Sequence, residues 1–223
     1  MRKQTVVAVV LTVLLAASAS AQATDFFELV KTGTAQDVQT AIDKGANVND
    51  VLPAGDAQHM GKTPLMMAAR YNQSPEVIAV LLKAGADVNA VDALHSTALI
   101  WAAGGNNVEV IATLLKAGAD TKVKALSGAT ALMWAANGNR NPAVILALLK
   151  AGADINAKND HGWTPLVYAA KNNPNPEVVL TLLKAGADAK GKDDYGQTVL
   201  DYAQNNYSLN GTDALRELEK ASK

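Results

Sequence analysis

Apolar residues recur along this chain in two alternating settings. In the first, a threonine precedes an apolar run that closes in or near Ala-Ala: Thr63, Thr97, Thr130, Thr164 and Thr198. In the second, Val77, Ile78, Leu81 and Leu82 stand at helical spacing, matched by Val110, Ile111, Leu114 and Leu115 and by later equivalents. Positions so spaced form one stripe on an α-helix, which needs a second element to cover it. The stripe runs into Leu81–Asn89 and returns as Leu114–Lys122, Leu148–Asn156 and Leu182–Lys190, with a worn copy at Ala41–Asn49. Its glycine falls at Gly45, Gly85, Gly118, Gly152 and Gly186, in steps of 40, 33, 34 and 34. Two signatures locked to one period near 33 predict a stacked array of helix pairs, each touching only its neighbours.

Local signals set the element ends. Thr63 and Thr164 are N-caps, with Pro64 and Pro165 in the first turn, where a missing N–H costs nothing. Thr97 and Thr130 keep the cap without the proline. Ser74, Asn107, Asn141 and Asn175 cap the second helix of each unit, and Pro75, Pro142 and Pro176 follow three of them. Glu76, Glu109 and Glu177 sit at the positive end of the helix dipole; Lys83, Lys116, Lys150 and Lys184 sit at the negative end. The units fall at 25–50, 63–90, 97–123, 130–157, 164–191 and 198–221. The first and last, more polar than the rest, are end caps. Thr34 with Asp37 reads as a capping box, 51–61 as an extended loop, and 211–220 as the last helix.

Residues 1–21 stand apart. Arg2 and Lys3 precede an apolar run over 6–17, too short for the roughly 20 residues that span a bilayer. Ala19-Ser20-Ala21 follows. This layout is that of a secretory signal peptide, with cleavage expected after Ala21 and a repeat domain over 22–223. The expected location is therefore periplasmic or secreted, with no membrane span after cleavage. An uncleaved anchor is the alternative.

The segments Thr63–Ala69 and Leu81–Asn89 resemble the two signature stretches of the ankyrin repeat, and the resemblance covers nearly all of 25–220. Asn175–Val178 resembles bacterial members. The resemblance implies an all-α solenoid of helix–turn–helix units with projecting loops or β-hairpins. It also implies a chain that binds a protein partner in a concave groove and lacks catalytic residues; a monomer is expected. The histidine usual after Thr-Pro-Leu is replaced by Met66, Ile100, Met133, Val167 and Asp201, which removes a hydrogen bond expected between neighbouring loops. Lys122 and Lys190 replace the family's asparagine at the loop foot. His95 replaces the loop glycine seen at Gly61, Gly128, Gly162 and Gly196.

The next position holds Met67, Trp101, Trp134, Tyr168 and Tyr202, which stacking would align as a column. Arg70 and Lys171, three residues on, share its face, and Tyr71 flanks it. In the family this face lines the groove. The column reads either as a row of aromatic anchors, a type enriched at binding hot spots, or as spacers packing one repeat on the next. Loop tips are the second candidate: Leu94, Leu126, His161, Trp163 and Tyr195 are expected to be exposed there, unless Trp163 covers the next loop. A carbohydrate or small ligand stacking on the same rings is the alternative occupant.

Composition removes other classes. Twenty basic residues face 21 acidic ones, so no basic field exists for nucleic acid. There is no cysteine, hence no disulfide, thiol catalysis or thiolate metal site. His59, His95 and His161 lie in loops of different units, too dispersed for three or four ligands to converge, so no metal or cofactor is expected. No phosphate loop, Gly-x-Ser-x-Gly or His-Glu-x-x-His occurs, and no catalytic residue is assigned.

Overall fold

A computed structural model describes residues 25–52, 61–105 and 107–223; residues 1–21, where a signal peptide is expected, most of the expected loop 51–61, His59 and Met60 lie outside the described residues. Helices come in pairs. In chain order they are α1 (25–32), α2 (Ala35–Asp43), α3 (Pro64–Tyr71), α4 (Pro75–Lys83), α5 (Ala98–Ala103) and α6 (Val108–Lys116). Then follow α7 (Ala131–Gly138), α8 (Pro142–Lys150), α9 (Pro165–Asn172), α10 (Pro176–Lys184), α11 (Val199–Ala203) and α12 (Asp213–Ala221). First helices stack on first helices, α3 on α5 on α7 on α9 on α11, and second helices do the same from α2 to α12.

The caps explain the boundaries. The hydroxyls of Thr63, Thr97, Thr130 and Thr164 each accept the backbone N–H three residues on. Thr34 and Asp37 exchange both bonds of a capping box. Second helices end where Gly85 and its equivalents turn left-handed, φ +90° at Gly85, a region that costs an L-residue about 1–2 kcal/mol. The last helix starts two residues later than its sequence suggests. Thr212 accepts from Leu215 N, and a 3₁₀ turn at Tyr207–Leu209 takes up the preceding chain.

The two helix layers close on one apolar core. Val77, Ile78 and Leu81 are fully buried, as are Val110, Ile111 and Leu114, while Leu82 and Leu115 are half-buried at its edge. Each such side chain contributes about 1.5–3 kcal/mol. Met66, Ile100, Met133 and Val167 are buried too, so apolar packing replaces the family's histidine there.

The projecting segments are loops, not β-hairpins: among the described residues the only bridge is an isolated antiparallel one, Lys192 to Thr198. The tip at Ala125 forms no strand, and three others are shaped by Asp92, Asn159 and Asp193. The Oδ1 of each accepts the backbone N–H groups two and four residues on, curling the tip into a turn and using donors that a ladder would need. Neighbouring tips join through the backbone instead: Leu126 N donates to Leu94 O (3.0 Å), Asp160 N to Ser127 O (3.2 Å) and Asp194 N to His161 O (3.2 Å). At the loop foot Asn49, Asn89 and Asn156 accept from Asp87 N, Asp120 N and Asp188 N of the next unit. Lys122 has no amide and cannot extend that series. His95 takes the left-handed turn position at φ +57°.

A further polar spine runs through the interior. Asn72, Asn139, Asn173 and Asn206 follow the first helices and are buried. Asn173 Nδ2 donates to Ala136 O and Asn139 O, and Asn206 Nδ2 to Ala170 O and Asn173 O. Their Oδ1 atoms accept the N–H two residues on. Each amide thus satisfies the exposed carbonyl end of the preceding unit's first helix.

Candidate functional site

The aromatic column forms on the first helices, but its members differ in environment. Met67 lies inside the stack, 2% exposed, and is a core residue. Trp101, Tyr168 and Tyr202 are each tied to their own loop. Trp101 Nε1 donates to Asp92 Oδ2 (2.9 Å), Asn159 Nδ2 donates to Tyr168 Oη (3.0 Å), and Tyr202 Oη donates to Asp193 Oδ2 (2.5 Å). The loop partner stands nine residues before the ring in every case. In the fourth unit that position is Ala125, which has no polar side chain. Trp134 therefore has no loop partner, makes no hydrogen bond through its side chain among the described residues, and is 42% exposed.

Around Trp134 the surface is concave. A cavity of about 540 Å³ is bounded by Trp101 and Trp134 at the walls, Gly104 and Gly105 on the floor, and the tips Leu94 and Leu126 at the rim. Arg70 and Tyr71 close one end and Asn137 lines the other side. Tyr71, Leu94 and Leu126 are exposed, Leu126 by 64%. The small floor follows from sequence: Gly104 and Gly105 stand where α3 has Arg70 and Tyr71. The volume lies in the ~300–1,000 Å³ range of binding sites, and apolar walls with few polar groups are their usual lining. Among the described residues Arg70 is the one charged group of the lining. Its guanidinium carbon lies 4.5 Å from the Trp101 centroid and 5.2 Å from that of Tyr71. Lys62 Nζ lies 4.0 Å from the Trp101 centroid.

The C-terminal half of the expected site is self-satisfied. Trp163 is half-buried rather than an exposed tip. It packs edge-on against Tyr168 and Tyr202, and its Nε1 donates to Asp193 Oδ2 (2.9 Å). Lys171 Nζ lies 4.0 Å from the Trp163 centroid and 5.2 Å from that of Tyr202, so this lysine is used internally. Burial opposes ionisation of Asp193, but bonds from Tyr202, from the Gln197 and Tyr195 N–H groups and from Trp163 outweigh it and lower its pKa. Burial, then the bond and charge of Asp193, push the Tyr202 hydroxyl up to about 12. At the tips, Tyr195 is 65% exposed and meets His161, with Tyr195 Oη 3.2 Å from His161 Nδ1. The column is therefore both of the things its sequence allows: a packing element at Met67, Tyr168 and Tyr202, and a groove wall at Trp134.

Among the described residues no cluster of three His, Asp or Glu side chains could hold a metal, and no helix is long and apolar enough to cross a membrane. Sequence reasoning missed the Asp/Asn–aromatic pairing at nine residues and the buried asparagine spine. Both have a signal: Asp92, Asn159 and Asp193 share one repeat position, and Asn72, Asn139 and Asn173 share another, with Asn206 one residue earlier in its unit.

No curated protein matches the chain. Family models do. One, described as ankyrin repeats (3 copies), matches residues 91–159 and 132–221, and one described as ankyrin repeat matches 60–93. Repeats of this family indicate a protein–protein interaction module. With the repeat geometry and these matches together, the chain belongs to the ankyrin-repeat family.

Proposed function

We propose that this protein is a non-enzymatic binding module that holds a protein partner in the groove between Arg70 and Trp134, with the loop tips Leu94 and Leu126 as rim. The observation that carries the reading is Trp134. A tryptophan without a hydrogen-bond partner among the described residues, 42% exposed at the wall of an apolar cavity, gains most when a partner covers it. Tyr71 and Trp101 belong to the same surface. His161, Trp163, Tyr168, Lys171 and Tyr195 form a second, mostly self-contained cluster, of which only the His161–Tyr195 tip offers contact area.

The carbohydrate alternative has less support. Cations stack on Trp101, Tyr168 packs edge-on against Trp163 and Tyr202 is buried, which leaves Trp134 as the one exposed ring of the column for a sugar face. Export rests on the layout of residues 1–21: the protein acts outside a bacterial cytoplasm, as a monomer, without nucleic acid.

Affinity capture with wild type, Trp134→Ala and Tyr195→Ala side by side tests the site. Loss of the captured protein in the first variant alone supports the groove. Loss in the second alone moves the site to the loop tips. Capture of nothing by wild type, with a saturable tryptophan shift on adding cell-wall fragments, would favour the glycan reading. Export is tested by fractionation and N-terminal sequencing. A start at Gln22 in the periplasm or medium supports it, and an intact Met1 in the cytoplasm overturns it.

A further inference from the structure

We infer that the groove takes an extended acidic–aromatic stretch of the partner, with a carboxylate on Arg70 and a large apolar side chain on Trp134, about five or six residues apart. This rests on the protein-binding reading of the groove and specifies its chemistry.

Arg70 is exposed and, among the described residues, has neither an ion pair nor a hydrogen bond from its guanidinium; its contacts are the rings of Trp101 and Tyr71. A guanidinium carries five N–H donors in one plane, and stacking fixes that plane without consuming them. Such a group, held beside apolar walls, fits a carboxylate in two parallel hydrogen bonds. Among the described residues no acidic side chain lines the groove, and the carboxylate of the adjoining loop, Asp92, is buried with its oxygens on Leu94 N, Ser96 N and Trp101 Nε1. A cationic segment would meet like charge here.

The other end is uncharged. Trp134 offers its ring and an unpaired Nε1–H, flanked by Leu126 and Gly105. An apolar side chain on that ring, with a backbone carbonyl on the indole N–H, uses both. The spacing follows from the stack. Arg70 lies in the last turn of α3 and Trp134 on α7, two helix layers on. At about 8–10 Å per layer the separation is about 16–20 Å. An extended chain at about 3.3–3.6 Å per residue covers that in five or six residues.

The test is selection of a random peptide library displayed on phage against the purified full chain, repeated with Arg70→Glu and Trp134→Ala. Both substitutions are at exposed side chains, and circular dichroism checks that the helices persist. The inference expects wild type to enrich peptides with Asp or Glu and an aromatic or large aliphatic residue at that spacing. It expects Arg70→Glu to weaken those peptides by about tenfold or more and to enrich Lys or Arg instead. Peptides lost with Trp134→Ala but indifferent to Arg70→Glu would overturn the acidic half while leaving the groove reading intact. Peptides indifferent to both variants, or none enriched at all, would overturn the inference together with the groove.

Discussion

Removing one buried amide should cost this protein more than removing any solvent-side contact, and Asn173 is the place to measure it. Asn173 is fully buried. Its Nδ2 donates to Ala136 O (2.8 Å) and Asn139 O (3.1 Å), and its Oδ1 accepts Asn175 N (2.9 Å). Asn173→Ala deletes three bonds worth about 0.5–1.5 kcal/mol each and leaves buried carbonyls without donors, so the loss is about 3–4 kcal/mol. For a chain of this size that is a fall in melting temperature of roughly 6–16 °C. Its neighbour supplies the control. Asn172 is exposed and its Nδ2 makes one side-chain bond, to Asn137 Oδ1, so Asn172→Ala should change stability by less than about 0.5 kcal/mol. Thermal and urea melts followed by circular dichroism read both. Because the amide joins the fourth unit to the fifth, the variant's transition should also broaden as the array divides at that seam. Equal effects at 172 and 173, or a loss at 173 below about 1 kcal/mol, would refute the spine as a stabilising element.

Two further outcomes follow from loop geometry and titration. A Cβ at Gly128 would lie 2.8 Å from Asp160 N and closer still to that residue's carboxylate, whereas one at Gly118 meets open space. Both glycines have positive φ, so Gly118→Ala should lose about 1–2 kcal/mol and Gly128→Ala about 1–3 kcal/mol more, read as the difference in urea midpoints. Tyr202 is held protonated in the fold, up to about 12, against an ordinary value of 10.0. Its contribution is complete below pH 10 and is lost as pH rises to 12, because only the unfolded chain releases the proton there. The stability gap between wild type and Tyr202→Phe should narrow across that window, and a gap that is flat with pH would contradict the assignment. Asp193 works in the opposite sense: with its pKa lowered, its contribution is kept above the ordinary carboxylate range and lost in acid.

The helices were legible in the sequence because caps, dipole charges and apolar stripes agree, and Thr63, Ser74 and Gly85 each perform their expected part. The loops were less so. Hairpin pairing depends on which backbone donors remain after side chains take their share, and Asp92, Asn159 and Asp193 take two each, a competition that depends on loop conformation. The site was legible as a column but not as a groove. Trp101 and Trp134 occupy equivalent positions and read alike. Their difference lies nine residues earlier, where Asp92 engages one indole and Ala125 leaves the other without a partner. Trp163 misled in the other direction, since only the packed structure brings Tyr168, Tyr202 and Lys171 around it.

The most direct test of the groove is photo-crosslinking in living cells with a photoreactive phenylalanine analogue placed at one of two exposed leucines. Leu126 is at the groove rim and is 64% exposed; Leu146 is on α8 in the second-helix layer and is 53% exposed. A protein adduct formed from position 126 and not from 146 is the predicted result. An adduct from 146 alone, or the same adduct from both, would contradict a partner seated between Arg70 and Trp134.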